Sequence, residues 1–187
     1  GFYRFYISVN YLGEVIKDYF GDGSKFDVQI TYIEESKPLG TGGALSMFSG
    51  HEGAPFLVTN GDVISSVDYR ALLAEHSASK SPATMALKQY SIQNPFGIVS
   101  FSYGKITSFE EKPMYLSYIN AGIYVFSPEV LGLVPKNKYF DMPGLFELLL
   151  KEGREPTVYL LYEDWNDIGK PTDLALIREK YSTDFDS

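Results

Sequence analysis

Apolar and polar positions alternate along this chain with two periods. Phe5-Tyr6-Ile7-Ser8-Val9 is a nearly continuous apolar run that predicts a strand through Phe5, Ile7 and Val9. Asn10 then caps a helix whose apolar positions, Leu12, Val15, Ile16, Tyr19 and Phe20, form the i, i+3, i+4, i+7, i+8 stripe of a helix lying on a core. Gly21-Asp22-Gly23 ends that helix, because glycine accepts the left-handed conformation a helix terminus needs. Val28, Ile30 and Tyr32 alternate with Gln29 and Thr31 and predict a second strand. Strand, helix and strand in this order make a βαβ unit with parallel pairing.

The pattern continues through the loop Pro38-Leu39-Gly40-Thr41-Gly42-Gly43 into a short helical segment from Ala44 to Phe48. Phe56-Leu57-Val58 reads as a short strand of the buried parallel type, stopped by the polar turn Asn60-Gly61-Asp62. Tyr69, Leu72, Leu73 and His76 mark an amphipathic helix, and Thr84 to Leu87 a strand. From Phe96 the texture changes to an antiparallel hairpin: Ile98-Val99-Ser100-Phe101, the turn Ser102-Tyr103-Gly104-Lys105, then Ile106-Thr107-Ser108-Phe109. Ala121 to Phe126 follows as a strand, and Ser127-Pro128-Glu129 starts a helix by the cap-then-proline rule. Leu145, Phe146, Leu148 and Leu149 lie on a helix ended by Gly153. Val158 to Leu161 is a strand, and Pro171 opens a last helix with Leu174, Ile177 and Tyr181. The residues thus predict one α/β domain with a mixed sheet and an antiparallel insertion after its middle.

Composition narrows the chemistry. The 187 residues contain no cysteine, which excludes disulfide frameworks, Cys-ligated zinc and cysteine nucleophiles. Two histidines are too few for a His-rich metal site; His51 reads as a loop residue and His76 as the edge of a helical face. A formal charge of −8 argues against nucleic acid, which wants a basic stripe. No apolar run approaches the ~18 residues of a membrane span, and no charged-then-apolar leader opens the chain, so a soluble cytoplasmic protein is expected. Gly1 stands in the place of an initiator methionine and leads directly into a strand, as in a chain cut from something longer.

Ligands of open α/β sheets bind outside the carboxyl ends of the strands, so the loops after strands are where chemistry should sit. The first, Leu39 to Leu45, has three glycines in four positions; it can let a ligand approach the backbone, or be a turn shaped for packing. It is neither a Walker loop nor a G-x-G-x-x-G motif. The second places Asp62 at a strand exit, where an Asp by itself reads as the cap of the next helix or turn. The third, Trp165-Asn166-Asp167-Ile168-Gly169, also carries an Asp that a turn alone would explain. Together Asp62 and Asp167 can share one hard cation such as Mg²⁺, which prefers oxygen ligands and brings phosphates along. Glu110-Glu111-Lys112-Pro113 closes the hairpin; alone it reads as a solvated charged turn, although a Glu can accept sugar hydroxyls and a Lys can meet a phosphate.

Taken in order, LGTGGAL at 39–45, NGD at 60–62, FGIV at 96–99, EEKP at 110–113, NAGIYVF at 120–126 and WNDIGKP at 165–171 resemble the sugar-1-phosphate nucleotidylyltransferases. The resemblance runs from Tyr3 to Tyr181. The opening FYISVNYLGEVIKDYFGDG is similar to the mannose- or aminosugar-1-phosphate guanylyltransferase branch in particular. The fold implied is Rossmann-like and doubly wound with a mixed sheet. Residues 1–90 are then the remainder of a nucleotide-binding half and 91–187 a sugar-phosphate-binding half.

The resemblance further implies a role for each site residue. Leu39, Gly40, Thr41, Gly42 and Gly43, with Asn60 and Gly61, bind the nucleotide. Asp62 and Asp167 converge on Mg²⁺ beside it. Gly97 meets the sugar through its backbone, Glu111 and Asn120 hold sugar hydroxyls, and Lys112 holds the sugar phosphate. The implied reaction joins a nucleoside triphosphate and a sugar 1-phosphate with release of pyrophosphate. It is a transfer governed by positioning and charge neutralisation, needing no Cys or His nucleophile.

One departure stands out. The family's glycine-rich loop ending in Thr-Arg, with a Pro and Lys beyond it, would precede Gly1, together with the first sheet strand. The expectation is a truncated domain lacking its first strand and phosphate loop, inactive by itself, with open strand edges covered by strand exchange or homodimer contacts. The β-helix of some relatives is not expected within these residues. Two rival functions share the same features: a nucleotide-sugar sensor or regulatory subunit, and a metal-dependent glycosyltransferase. The latter usually brings Asp-x-Asp, which occurs here only at Asp184-Phe185-Asp186 in the tail.

Overall fold

A computed structural model describes residues 1–50, 52–169, 174 and 177. His51, most of the last helix from Pro171 to Tyr181 and the tail Asp184-Phe185-Asp186 lie outside the described residues. The opening βαβ unit forms as its periodicity requires. Strand β1 (Arg4–Val9), helix α1 (Gly13–Phe20) and strand β2 (Gln29–Glu34) follow one another, and β1 pairs with β2 in parallel, Phe5 opposite Ile30 and Ile7 opposite Tyr32. Asn10 is not the cap of α1. The helix starts later, behind Leu12 with φ of 57°, and the Asn10 side-chain amide instead donates to the Glu35 carbonyl at 2.6 Å.

The remaining elements are helix α2 (Gly40–Gly43), a 3₁₀ turn over Ala44–Met47, strands β3 (Phe56–Thr59) and β4 (Val63–Ser65), helix α3 (Tyr69–Ser79), and strand β5 (Ala83–Gln93). After these come strands β6 (Ile98–Ser102), β7 (Lys105–Glu110) and β8 (Met114–Phe126), a 3₁₀ helix over Pro128–Leu133, helix α4 (Met142–Lys151), and strands β9 (Thr157–Leu161) and β10 (Trp165–Asp167). A four-stranded sheet has the order β3-β8-β5-β9, while β1-β2, β10-β4 and β6-β7 are two-stranded. The hairpin β6-β7 is antiparallel, with a register shift between Ser100 and Phe101, and forms a two-stranded ribbon with no sheet neighbour among the described residues. The fold is α/β with parallel and antiparallel pairings, as the pattern predicts.

Two strands exceed their predicted lengths. The buried run Ala121–Phe126 is only the second half of β8, whose first half, from Met114, is largely exposed and carries no core periodicity. Likewise β5 continues past Leu87 to Gln93 through exposed residues. The short ladder between β4 and β10 is not predicted at all, since three-residue strands are too short to show a period.

The chain divides into two compact units. The first holds Gly1–Val58, Leu73–Thr84 and Tyr124–Thr157, the second Thr59–Leu72, Met85–Ile123 and Val158–Ser187. In the first, a line of rings links β1 to α4: Tyr6 meets Phe48 at 4.9 Å between centroids, Phe48 meets Phe56 at 4.8 Å, Phe56 meets Phe126 at 5.9 Å, and Phe126 meets Phe146 at 5.8 Å. Each such pair adds about 0.5–1.5 kcal/mol beyond the area it buries. Tyr124, Leu145 and Leu149 complete this core. In the second unit Val67, Leu72, Ala86, Ala121, Ile123 and Leu161 are buried.

His76 is not at the edge of a helical face: it is 1% exposed. The hydrogen bonds around it run in one direction. The Ser127 hydroxyl donates to the Ser81 carbonyl at 3.1 Å, which leaves its oxygen to accept from His76 Nε2 at 3.2 Å. Nδ1 is then the lone-pair nitrogen and accepts from the Thr84 hydroxyl at 2.8 Å, whose oxygen accepts from Thr157 at 2.9 Å. This chain of bonds suits a neutral imidazole, the form that burial favours by holding the His76 pKa below its usual 6.5 despite the opposing charge of Glu129. The sign follows by linkage: below about pH 6.5 the unfolded chain binds a proton that the folded chain refuses, so stability is lost as pH falls. Urea midpoints should therefore drop between about pH 7 and about pH 5, and more steeply in the wild type than in His76→Gln. Equal slopes for the two proteins would refute this assignment.

Candidate functional site

In the first unit, the glycine loop is shaped by its own chain. Leu39 is 2% exposed, Gly42 and Gly43 are buried, and only Gly40 and Thr41 reach the surface. A segment from Lys138 to Met142 lies directly against it. Phe140 N–H donates to the Leu39 carbonyl at 2.8 Å, and Gly42 N–H to the Phe140 carbonyl at 2.9 Å. A Cβ at Gly40 would lie 2.6 Å from Asp141 Oδ1 and 2.8 Å from the Phe140 carbonyl oxygen; one at Gly43 would lie 2.9 Å from the Lys138 carbonyl oxygen. Gly40 also has φ of +77°, which an L side chain rarely adopts. Packing against this segment is visible at Gly40, Gly42 and Gly43. On the other flank, the Glu35 carboxylate accepts Leu39 N–H at 2.9 Å and the Ser8 hydroxyl at 2.5 Å. Glu35 and Asp141 were not legible as loop partners, because neither belongs to a motif.

In the second unit, β4 and β10 pair antiparallel with Val63 opposite Asp167, and Ile168 N–H donates to the Asp62 carbonyl at 2.8 Å. Asp62 and Asp167 therefore stand on adjoining segments, both exposed. The helix-cap reading of Asp62 fails, since Asp68 caps α3 by accepting Arg70 N–H at 2.9 Å and Ala71 N–H at 3.1 Å. Asp167 does hold a turn: its Oδ1 accepts Gly169 N–H at 2.9 Å. Three further bonds hold β10 in place. Trp165 Nε1 donates to the Ala121 carbonyl at 2.8 Å, Ser66 N–H to the Asp164 carbonyl at 3.0 Å, and Lys88 Nζ to the Glu163 carbonyl at 2.7 Å. Asn60 N–H donates to the carbonyl of Gly122, a residue with φ of +70°. Asn120 Oδ1 accepts Gly122 N–H at 3.0 Å. The Asn60 backbone and the Asn120 side chain thus meet at Gly122 on β8, next to the Ala121 carbonyl that takes the Trp165 indole.

The hairpin exit gathers three more of the predicted residues. A Cβ at Gly97 would lie 2.9 Å from Glu111 Oε2, so the Glu111 carboxylate rests against the Gly97 backbone. Lys112 is exposed with φ of 45°, left-handed and immediately before Pro113. Such a conformation in a non-glycine residue stores on the order of 1–3 kcal/mol, and strain of this kind clusters at ligand-binding positions. Asn94 N–H donates to the Pro113 carbonyl at 2.9 Å and closes the turn. Among the described residues, no group of three or more His, Asp or Glu is placed to hold a metal. The carboxylates of Asp62 and Asp167 are hard oxygen donors, and a pair of them suits a cation that takes its other ligands from phosphate and water.

The sequence model of the nucleotidyl transferase family matches residues 1–184. This chain belongs to that family. The nucleotidyl transferase chain is 32% identical over 193 residues to UTP–glucose-1-phosphate uridylyltransferase of Synechocystis sp., covering 92% of this chain and 50% of the relative. It is 31% identical over 175 residues to mannose-1-phosphate guanylyltransferase of Mycobacterium tuberculosis, covering 90% of this chain and 49% of the relative. The chain thus spans about half the length of the curated relatives it matches. Among solved structures, HddC from Yersinia pseudotuberculosis superposes with a TM-score of 0.69 at 24% identity, covering 95% of this chain and 78% of that one, which establishes the Rossmann-like nucleotidyltransferase fold. These relatives are sugar-1-phosphate nucleotidylyltransferases, the group that the motifs resemble. No helix among the described residues is long and apolar enough to cross a membrane.

The packing of the nucleotidyl transferase loop yields a prediction. Gly40→Ala should destabilise the protein by about 1–3 kcal/mol, from the left-handed strain and the collision with a backbone carbonyl. Urea denaturation measures this, and an unchanged midpoint would show that the loop yields freely.

Proposed function

We propose that the protein containing this chain transfers a nucleotidyl group from a nucleoside triphosphate to a sugar 1-phosphate. The sugar-phosphate oxygen attacks the α-phosphorus, the bond to the β-phosphate breaks, and pyrophosphate leaves. The observation that carries this reading is the β4-β10 ladder, which places Asp62 and Asp167 on adjoining segments. Asp62 and Asp167 hold Mg²⁺, which when bound neutralises phosphate charge. Lys112 meets the sugar phosphate as a point charge, Glu111 and Asn120 bind sugar hydroxyls, and the Gly97 backbone lies against the sugar. Leu39 to Gly43, with Asn60 and Gly61, take the nucleotide. No covalent intermediate on the protein is needed, which agrees with a chain without cysteine whose His76 is spent on a buried network.

The base is guanine on this reading, since relatives named mannose-1-phosphate guanylyltransferase recur at 29–31% identity. A cytoplasmic setting goes with it, because that compartment holds nucleoside triphosphates and sugar phosphates. GTP with Mg²⁺ should raise the melting temperature of the wild-type chain, by the equivalent of about 2.7 kcal/mol at a hundredfold excess over its dissociation constant. Asp167→Asn should abolish the Mg²⁺-dependent part while leaving the ligand-free melting temperature near that of the wild type. Full stabilisation in that variant would remove Asp167 from the metal site.

A homodimer is the second part of the proposal. Among the described residues, β1 has a ladder on its β2 side alone and β3 stands at the end of the four-stranded sheet, so both are edge strands. Open edges of this kind template pairing with another chain. Light scattering across a concentration series should show a dimer; a monomer throughout would overturn it.

A further inference from the structure

We infer that Thr41 and Asp141 form a reciprocal helix cap that positions the glycine loop for its nucleotide, an inference that rests on the nucleotide-binding role proposed above. Asp141 occupies the N-cap position of α4, with extended backbone (φ −101°, ψ 153°), where an Asp ordinarily turns its carboxylate onto the first free N–H groups of its own helix. It does not: α4 has no such side-chain cap. Asp141 Oδ1 accepts Thr41 N–H at 3.2 Å and lies 3.5 Å from the Thr41 hydroxyl. In exchange, Thr41 Oγ1 accepts the N–H of Met142, the first residue of α4, at 2.9 Å. Each residue thus satisfies an orphan donor at the other's helix end, across a sequence separation of 100 residues.

The exchange has a geometric consequence. Leu39, Thr41 and Gly42 each have their N–H held by a partner outside the loop: Glu35 Oε2, Asp141 Oδ1 and the Phe140 carbonyl. The loop is therefore set by two carboxylates and a carbonyl before any ligand arrives, which lowers the ordering cost of binding. The Asp141 carboxylate also faces Tyr139, whose phenol it holds above its usual pKa. Thr41 and Asp141 are positioning residues on this account, acting through the loop's shape.

The test compares Thr41→Val, which keeps the side chain's shape without its hydroxyl, with Thr41→Ser, which keeps the hydroxyl, and with Asp141→Ala. Amide exchange at residues 39–43 is followed by NMR, and binding of GTP, UTP, dTTP and CTP with Mg²⁺ by calorimetry. Thr41→Val and Asp141→Ala should each speed exchange at Thr41 and Gly42 by about tenfold and weaken the triphosphate that the wild type binds by about tenfold, whereas Thr41→Ser should restore both. Unchanged exchange in both disruptive variants would overturn the reciprocal cap. Faster exchange with unchanged affinity would overturn the positioning role. Failure of the wild type to bind any of the four triphosphates would overturn the nucleotide reading and the positioning role with it, while exchange alone would still decide whether the cap exists.

Discussion

A ladder of three residue pairs joins β4 to β10 and brings Asp62 and Asp167 to adjoining segments. Val63 faces Asp167 across it, and the Asp62 carbonyl takes Ile168 N–H at its end. Two carboxylates far apart in the chain come to adjoining backbone positions only because β10 returns antiparallel to β4. So short a ladder has little stability of its own. Its strands are held from outside by the Trp165 indole on the Ala121 carbonyl, by Lys88 on the Glu163 carbonyl, and by Ser66 on the Asp164 carbonyl. Ala121 on β8 accepts the first of these, so β10 is tied to the buried Ala121–Ile123 stretch by an indole hydrogen bond.

The glycine loop illustrates a different constraint. Its glycines leave room for the Lys138–Met142 segment, whose carbonyls and Asp141 carboxylate occupy the space that side chains would need. A glycine-rich motif that invites a ligand interpretation is here selected, position by position, by an intramolecular neighbour. The two explanations are compatible. A loop packed tightly on one side presents a defined backbone on the other, and definition is what recognition of a nucleotide requires.

Much of the architecture was legible from periodicity. The helical stripe from Leu12 to Phe20, the alternation from Val28 to Tyr32 and the hairpin around Tyr103-Gly104 all form where the pattern places them. So does the buried half of β8. Each is a local preference readable from its period, although the α1 stripe lies on no core: Leu12, Val15 and Tyr19 are exposed and Gly13 alone is buried there, and β7 is exposed throughout. Asn10 failed as a cap because the helix starts later, at Gly13 behind Leu12, while the Asn10 amide donates to the Glu35 carbonyl. His76 failed as a surface residue because Thr84 and Ser127 supplied the partners that let an imidazole be buried.

Order of motifs, turn chemistry and family were determined by the amino-acid sequence alone, since each depends on residues near one another in the chain. Which aspartate caps a helix, why Gly40 must be glycine, and how Thr41 and Asp141 exchange caps were decided only in the folded state. These are hydrogen bonds and close approaches between residues as many as 100 positions apart, and a contact of that range leaves no periodic trace along the chain.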